Sequence, residues 1–129
     1  EIADVFELSG FLNTPVRNLS LGQRIRCEIA ASLLHRPRVL FLDEPTIGLD
    51  PVVKESIRSL IRQMNREFHT TIFLTSHDIG DIEKLCRRII IVNSGRIVLD
   101  EPMEYLKFSD EPLENIIMKI YQEKESVRQ

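Results

Sequence analysis

The sequence has no tryptophan, only two cysteines and no long apolar run. Cys27 and Cys86 lie far apart and neither belongs to a C-x-x-C pair, which argues against a metal site or a redox motif. We therefore expect two free thiols in a reducing cytosol. The longest apolar runs, such as VLFL and IIIV, fall well short of the roughly 20 residues that a membrane-spanning helix requires.

A secretory signal peptide is also missing, so we expect any association with a membrane to depend on a partner protein. The charge balance is mildly acidic, with 17 lysines and arginines against 20 aspartates and glutamates, and it indicates no nucleic-acid surface. The 129 residues suffice for one domain with a real core. Because the chain begins at Glu1, without a methionine and within a helical pattern, we expect it to be a fragment.

Hydrophobic periodicity predicts helices and strands that alternate along the first part of the chain. A helix over 20–35 opens with an S-x-x-Q capping box. The unbroken apolar run 39–42 predicts a strand buried on both faces, as in a parallel sheet flanked by helices. Asp50 and Pro51 begin a second helix, and the apolar strand 71–75 follows it, which gives a right-handed βαβ unit. The other predicted elements are a helix at 1–8, a helix at about 79–87, a hairpin of strands 88–92 and 96–99 around a glycine turn, helical patches at 101–107 and 111–124, and a charged tail.

Two adjacent carboxylates, Asp43 and Glu44, end the first strand. An aspartate there can hold Mg²⁺ through water, and a neighbouring glutamate can orient or deprotonate an attacking water. Acidic residues also cap strand ends near turns, and a lone carboxylate pair is structural more often than catalytic. His77 follows the second strand, at the edge where open α/β sheets place ligands, and could donate to a phosphate oxygen, although a polar residue at a strand end needs no ligand.

The start of the 20–35 helix has two interpretations. Free backbone N–H groups and the helix dipole could bind an anion, whereas a capping box explains Ser20 and Gln23 without a ligand, for roughly 0.5–2 kcal/mol. The capping box leaves Gly22 unexplained, since glycine costs about 1 kcal/mol in a helix relative to alanine. A glycine here favours close approach of a ligand to the backbone. Asp50 and Asp78 each have a sufficient explanation as helix N-caps.

In their order and spacing, these motifs resemble the C-terminal half of an ATP-binding cassette (ABC) ATPase domain, over most of the chain up to about residue 100. The segments that carry the resemblance are Leu19–Gln23 as the signature loop, Val39–Glu44 as the Walker B strand, Ile47–Asp50 as the D-loop and Thr75–Asp78 as the switch-histidine loop. The resemblance implies an α/β fold: a partial P-loop NTPase core with a mostly parallel sheet and flanking helices, lacking the N-terminal Walker A half. The implied parts are a helical signature subdomain at 1–36, the Walker B, D-loop and H-loop part of the core at 37–100, and a C-terminal helical extension at 101–129.

Within one cassette, the resemblance implies a site for ATP and Mg²⁺. Asp43 would serve Mg²⁺, Glu44 the hydrolytic water and His77 the γ-phosphate. The intact protein would be an ATPase, the nucleotide-binding subunit that powers an ABC membrane transporter by ATP-driven dimerisation.

Across a dimer with a second ABC ATPase domain, identical or different, the resemblance implies further contacts. Ser20, Gly22 and Gln23 would meet the γ-phosphate of ATP held by the opposite cassette, and Asp50 would link the two sites. The implied partner is a transmembrane permease subunit that holds the protein at the cytoplasmic face of the cell membrane, and no nucleic acid is expected. Leu21 stands where many members have a second glycine, and LSLGQ variants are similar to ATPases of exporter-type, ABC-2-like transport systems.

The 129 residues contain no G-x-x-x-x-G-K-[ST] motif, the loop that cradles phosphates and supplies a lysine to them. We therefore expect the isolated chain to bind ATP poorly and to hydrolyse it negligibly. In the family, the strand that carries this loop would pair beside 39–42. We consequently expect an open strand edge, an uncovered apolar face and a tendency to aggregate.

Two functions compete with the transporter subunit, which is the leading hypothesis. The first is a soluble ABC ATPase that acts on ribosomes or DNA; such proteins usually have paired cassettes with a basic linker or a long coiled-coil insertion, and neither occurs in this sequence. The second is a non-catalytic remnant that acts as an interaction module. The presence of Asp43, Glu44 and His77 argues against it.

Overall fold

The computed structural model describes residues 1–126 and divides into two compact units, Glu1–His77 and the residues from Asp78 onward. The first unit contains helix α1 (Ile2–Val5), a 3₁₀ turn (Val16–Asn18), helix α2 (Leu21–Ser32), strand β1 (Val39–Asp43), helix α3 (Pro51–Phe68) and strand β2 (Thr71–Thr75). The second unit contains helix α4 (Ile79–Leu85), strands β3 (Arg88–Asn93) and β4 (Arg96–Pro102), and helices α5 (Met103–Lys107) and α6 (Leu113–Ser126). The α/β class is therefore confirmed. The division at residues 36 and 100 stays a prediction, and the charged tail falls largely on 127–129, outside the described residues.

Helix α2 begins at the predicted capping box. Ser20 Oγ accepts a hydrogen bond from the Gln23 N–H at 3.2 Å, and Gln23 Oε1 accepts one from the Ser20 N–H at 3.0 Å. Two backbone donors that would otherwise lack partners are thereby satisfied. The helix ends at Ser32, earlier than predicted, because the N–H groups of Leu33, Leu34 and Arg36 donate to carbonyl oxygens three residues back instead of continuing the α-helical ladder.

Helix α3 begins at Asp50, whose Oδ1 accepts hydrogen bonds from the N–H groups of Val52 and Val53, both at 3.0 Å. Pro51 occupies the first turn, where a missing N–H costs no helical hydrogen bond. The buried apolar face of the helix consists of Ile57, Leu60, Ile61 and Met64. The chain leaves the helix through His69, which has a left-handed backbone with φ of 52°.

Strands β1 and β2 pair in parallel, and this register sets Asp43 opposite Thr75. The prediction of a strand buried on both faces is wrong for the described residues. Leu42 is buried on one face, but on the other Phe41 is 72% exposed and the neighbouring Phe73 is 48% exposed. Their rings pack against each other with centroids 5.4 Å apart. The strand pair thus has the uncovered apolar face that was expected of the isolated chain.

In the second unit, β3 and β4 form the predicted antiparallel hairpin. Ser94 and Gly95 connect them with φ values of 50° and 72°, the left-handed pair that suits a two-residue hairpin turn. The core of this unit consists of Ile89, Ile91, Met103 and Leu113. Half-buried Cys86 packs against it, and burial, with a smaller effect of the charge of Asp81, raises the pKa of its thiol. None of the helices in residues 1–126 is long and apolar enough to traverse a bilayer.

Candidate functional site

Asp43 and Glu44 leave the end of β1 beside Thr75, the last residue of β2. The Thr75 hydroxyl donates a hydrogen bond to Asp43 Oδ1. The backbone N–H of Glu44 donates to two oxygens of the same threonine, the carbonyl O at 3.0 Å and Oγ1 at 3.1 Å. Because the strands are parallel, both carboxylates start from the sheet edge at which open α/β sheets bind ligands.

Glu44 carries its carboxylate to His77, where Glu44 Oε1 contacts His77 Nδ1. The backbone of Glu44 has a left-handed φ of 46°, which is uncommon for a residue with a Cβ. The side chain of Glu44 is 22% exposed and that of His77 is 95% exposed. The glutamate is therefore fixed in a partly enclosed position, while the imidazole remains open to an incoming ligand.

Gly22 lies buried where α2 meets α3. A Cβ on Gly22 would lie 2.6 Å from Val53 Cγ1, closer than any side chain tolerates without a shift. The position thus has a packing reason for glycine that the sequence argument lacked. The predicted contact of Gly22 with a phosphate stays a prediction. Ser20 and Gln23, at the same helix start, are engaged in the capping box.

Leu21 connects the start of α2 with the loop between β1 and α3. Its Cδ2 lies 3.5 Å from the position that a Cβ on Gly48 would take, and Gly48 has a left-handed φ of 75°. Farther along the same loop, Asp50 is the N-cap of α3, which is the structural explanation considered from the sequence. The leucine that departs from the family pattern therefore packs on the predicted D-loop.

A groove of about 410 Å³ separates α2 from β1. Asp43 and Glu44 contribute to its wall, together with Leu21. Most of the remaining wall is apolar and includes Ile25, Ile29, Leu40, Phe41, Leu42 and Ile47. The carboxylate pair is consequently accessible along the α2 side of the strand.

Arg26, one turn into α2, joins this helix to α3 and to the segment that follows α1. Its Nη1 donates to the carbonyl oxygen of Phe6 at 3.4 Å and to Glu7 Oε2 at 3.1 Å, and its Nη2 donates to Ser56 Oγ of α3. The Arg26 side chain is only 18% exposed. These contacts fix α2 both against α3 and against the segment that follows α1, and helical periodicity gave no indication of them.

The predicted site residues fall into two groups within the first unit. Asp43, Glu44 and His77 meet at the end of the parallel strand pair. Ser20, Gly22 and Gln23 stand at the start of α2, and Asp50 caps the helix that Gly22 packs against. Sequence reasoning missed Thr75 as a member of the first group. A hydroxyl at the same strand end as Asp43 is the signal that could have identified it.

The oxygen donors at this edge suit a small, hard cation. Mg²⁺ is usually held by one or two carboxylates together with substrate phosphates. Thr75 engages Oδ1 of Asp43, which leaves Oδ2 for a cation or for its water shell. Among the described residues, no cluster of three or more His, Cys, Asp and Glu side chains could hold a metal ion alone. The donor set therefore fits a cation that nucleotide phosphates help to bind.

Comparison with known proteins defines the class. A family model described as "AAA domain, putative AbiEii toxin, Type IV TA system" matches residues 6–80, more than half of the chain. The ATP-binding cassette MJ0796, solved as a dimer in a post-hydrolysis state bound to ADP and Pi, superposes with a TM-score of 0.67 and 31% identity, covering 79% of this chain and 44% of that chain. The structure of cbiO1 from Clostridium perfringens, part of the ABC transporter complex cbiONQ, gives a TM-score of 0.72 and 27% identity over 99% of this chain and 52% of that chain. The fold is thus that of a P-loop NTPase of the ATP-binding cassette type.

The curated relatives of this chain are ATP-binding proteins of transport systems. The energy-coupling factor transporter ATP-binding protein EcfA2 of Clostridium perfringens (strain 13 / Type A) is 42% identical over 105 residues, which cover 81% of this chain and 37% of the relative. The bacitracin transport ATP-binding protein BcrA of Bacillus licheniformis is 37% identical over 107 residues, which cover 83% of this chain and 35% of the relative. The chain belongs to the AAA-type ATPase domain family whose model it matches, and, in line with its motifs, the relatives it resembles are ABC transporter ATP-binding proteins. It spans about a third of the length of these curated relatives.

Proposed function

We propose that the chain is part of the nucleotide-binding, ATP-hydrolysing subunit of an ABC membrane transporter, which powers transport by ATP-driven dimerisation. The observation that carries the proposal is the meeting of Asp43, Glu44 and His77 at one sheet edge. EcfA2 and BcrA are named as ATP-binding proteins of transport systems, which favours the transporter over an ATPase that acts on ribosomes or DNA.

In this proposal, bound Mg²⁺ supplies neutralisation of the phosphate charge that develops during phosphoryl transfer. Asp43 would hold the cation, directly or through water. Glu44 would orient the water that attacks the γ-phosphorus and accept its proton, while the bond from that phosphorus to ADP breaks. His77, which contacts Glu44 and is otherwise exposed, faces the γ-phosphate. The contact between these two side chains keeps the base and the phosphate-binding group on the same side of the strand end.

The second group of residues acts across a dimer in the same proposal. Ser20, Gly22 and Gln23 contact the γ-phosphate of ATP held by a second ABC ATPase domain, and Asp50 links the two sites. A helix N-terminus suits this task because its dipole attracts anions, and the capping box engages only the N–H groups of Ser20 and Gln23. A permease subunit then holds the protein at the cytoplasmic face of the membrane. The exporter-type subclass stays a prediction.

The first test is Glu44→Gln in the gene product that carries these residues. Removal of a general base typically costs on the order of 10²–10⁴ in rate, so Mg-ATPase turnover should fall at least about a hundredfold while ATP binding persists and the dimer accumulates. Glu83→Gln is the matched control, because Glu83 is exposed on α4 and belongs to no predicted motif. Turnover that is equal in the two variants would exclude Glu44 as the base.

The second test addresses the contact across the dimer. Ser20→Arg should prevent closure of the ATP-loaded dimer, measured by size-exclusion chromatography in the Glu44→Gln background. The affinity of the monomer for ATP should be nearly unchanged, because the serine acts on the ATP of the partner. A matching loss of monomer affinity would count against this geometry.

A further inference from the structure

Thr75 touches both carboxylate residues of the site from the neighbouring strand. We propose that Thr75 is a positioning residue that holds Asp43 and Glu44 in their working geometry for Mg²⁺ binding and attack by water. This inference rests on the proposed ATP hydrolysis and deepens it. It concerns one side-chain hydroxyl, which serves as donor to one carboxylate residue and as acceptor from the next.

The donor half of this arrangement acts on Asp43. The Thr75 hydroxyl donates to Oδ1, a charge-assisted hydrogen bond that fixes the rotation of the carboxylate. Since Oδ1 accepts this hydrogen bond, Oδ2 would be the oxygen available to a cation. Groups that orient a metal ligand in this way typically contribute on the order of 10–100-fold to metal affinity or activity.

The acceptor half acts on Glu44. Its N–H is shared between Thr75 O at 3.0 Å and Thr75 Oγ1 at 3.1 Å. Glu44 also has the left-handed φ of 46°, a conformation that persists only where neighbouring groups hold it. Loss of the hydroxyl leaves one of the two acceptors, so the turn loosens without losing all support. The carboxylate of Glu44 then departs from the position that places it against His77.

The same strand provides a matched control. Thr71 and Thr75 stand at the two ends of β2, and side chains at even spacing along a strand share a face, which here is exposed. Thr71 lies opposite Val39, at the strand end away from the carboxylates. Thr71→Val therefore makes the same chemical change on the same face, far along the strand from the site.

The test compares Thr75→Val, Thr75→Ser and Thr71→Val in the complete gene product. Thr75→Val should lower kcat for Mg-ATP about 10–100-fold with little change in KM, and should weaken Mn²⁺ binding to the ADP complex, followed by electron paramagnetic resonance, about tenfold. Thr75→Ser keeps the hydroxyl and should stay within about threefold of the parent in both measurements. Thr71→Val should match the parent. If Thr75→Val does not fold, Thr75→Ala removes the same hydroxyl and takes its place.

The outcomes separate this inference from the proposed function. A parent protein that hydrolyses Mg-ATP in a manner abolished by Glu44→Gln, combined with equal values for Thr75→Val and Thr71→Val, would overturn the positioning by Thr75 alone. Equal losses in Thr75→Ser and Thr75→Val would also overturn it, because the hydroxyl would then be irrelevant. A parent without Mg-ATPase activity would overturn both the proposed function and the inference.

Discussion

Gly22 and Val53 pack the starts of α2 and α3 closely against each other, because a Cβ on Gly22 would lie 2.6 Å from Val53 Cγ1. The N–H of Val53 also donates to the cap residue Asp50 at 3.0 Å. One close contact thus joins the predicted signature motif to the helix that follows the predicted D-loop. The starts of α2 and α3 are therefore closely packed at this point.

Gly22→Ala should therefore destabilise the protein even though alanine is the better helix former. Overpacking typically costs about 1–3 kcal/mol, which exceeds the gain in helix propensity of about 1 kcal/mol over much of that range. Thermal unfolding should show a lowered midpoint. Val53→Ala in the Gly22→Ala background should recover most of it, since the two sites are in contact and couple.

Gly10→Ala is the control for this substitution, because a Cβ there meets nothing within 4 Å. Its unfolding midpoint should stay near that of the parent. A Gly22→Ala protein as stable as Gly10→Ala would contradict the close packing of α2 on α3.

Arg26→Met should loosen α2 from α3 while keeping much of the aliphatic stem. Three hydrogen bonds disappear, to Phe6 O, Glu7 and Ser56, and hydrogen bonds to charged groups are worth about 1.5–3 kcal/mol. Because Glu7 is exposed, its share is small, and we expect a total loss of about 2–3 kcal/mol in unfolding free energy from denaturant titration. Arg24→Met, at an exposed position of the same helix, should change stability by less than about 0.5 kcal/mol. Equal losses of unfolding free energy in the two variants would show that Arg26 does not stabilise the packing of α2 on α3.

Phe41→Thr should reduce self-association of the 129-residue chain. Phe41 and Phe73 form an exposed aromatic pair on a two-stranded sheet, a surface that favours edge and face contacts between copies. Threonine is a good strand former, so the change removes apolar area without disfavouring the strand. Light scattering against concentration measures the effect. Phe108→Thr is the comparison, since Phe108 is 85% exposed but lies on neither strand. An equal reduction of self-association by Phe108→Thr would show that exposed apolar area in general, and not the aromatic pair, causes the self-association.

Arg88 and Asp100 form a bidentate pair on the hairpin, with Nε to Oδ1 and Nη2 to Oδ2 both at 2.7 Å. The hydrogen bonds from the guanidinium hold the pKa of Asp100 below its usual value. Since the folded-state pKa is the lower one, the pair stabilises the fold above the unfolded-state pKa. That contribution is lost as the pH falls through the folded value.

Arg88→Gln should raise the titration midpoint of Asp100 toward that of an ordinary aspartate, followed by carbon-13 NMR of the carboxyl group. Arg96→Gln, at the other end of the hairpin ladder, should leave the midpoint in place. An Asp100 midpoint that does not respond to Arg88→Gln would rule out the pair as the cause.

Features with local signals were predictable from the sequence. The capping box at Ser20 and the Asp50–Pro51 helix start each depend on residues a few positions apart, and both occur as predicted. The order strand, helix, strand was enough to predict the parallel pairing that brings Asp43 beside the second strand end. These elements supply most of the fold of the first unit and the position of its carboxylates.

The features that the sequence did not predict depend on residues about 30 positions apart. The contact of Gly22 with Val53, the bond from Arg26 to Ser56 and the bond from Thr75 to Asp43 are all of this kind. Periodicity records which face of a helix is apolar but not which atom lies opposite. The prediction that β1 is buried on both faces was wrong for a related reason, since an apolar run does not show which elements cover the strand.

The continuous register between β1 and β2 limits how segments of this domain can be exchanged in a chimera. Because the pleat alternates, an insertion of one residue within β2 would turn the Thr75 hydroxyl to the opposite face and bring an aliphatic neighbour toward Asp43. Both motifs would still be recognisable in the altered sequence, but the Thr75 hydroxyl would no longer lie on the same face as Asp43. A chimera therefore has to preserve the count of residues along the strand as well as the motif letters.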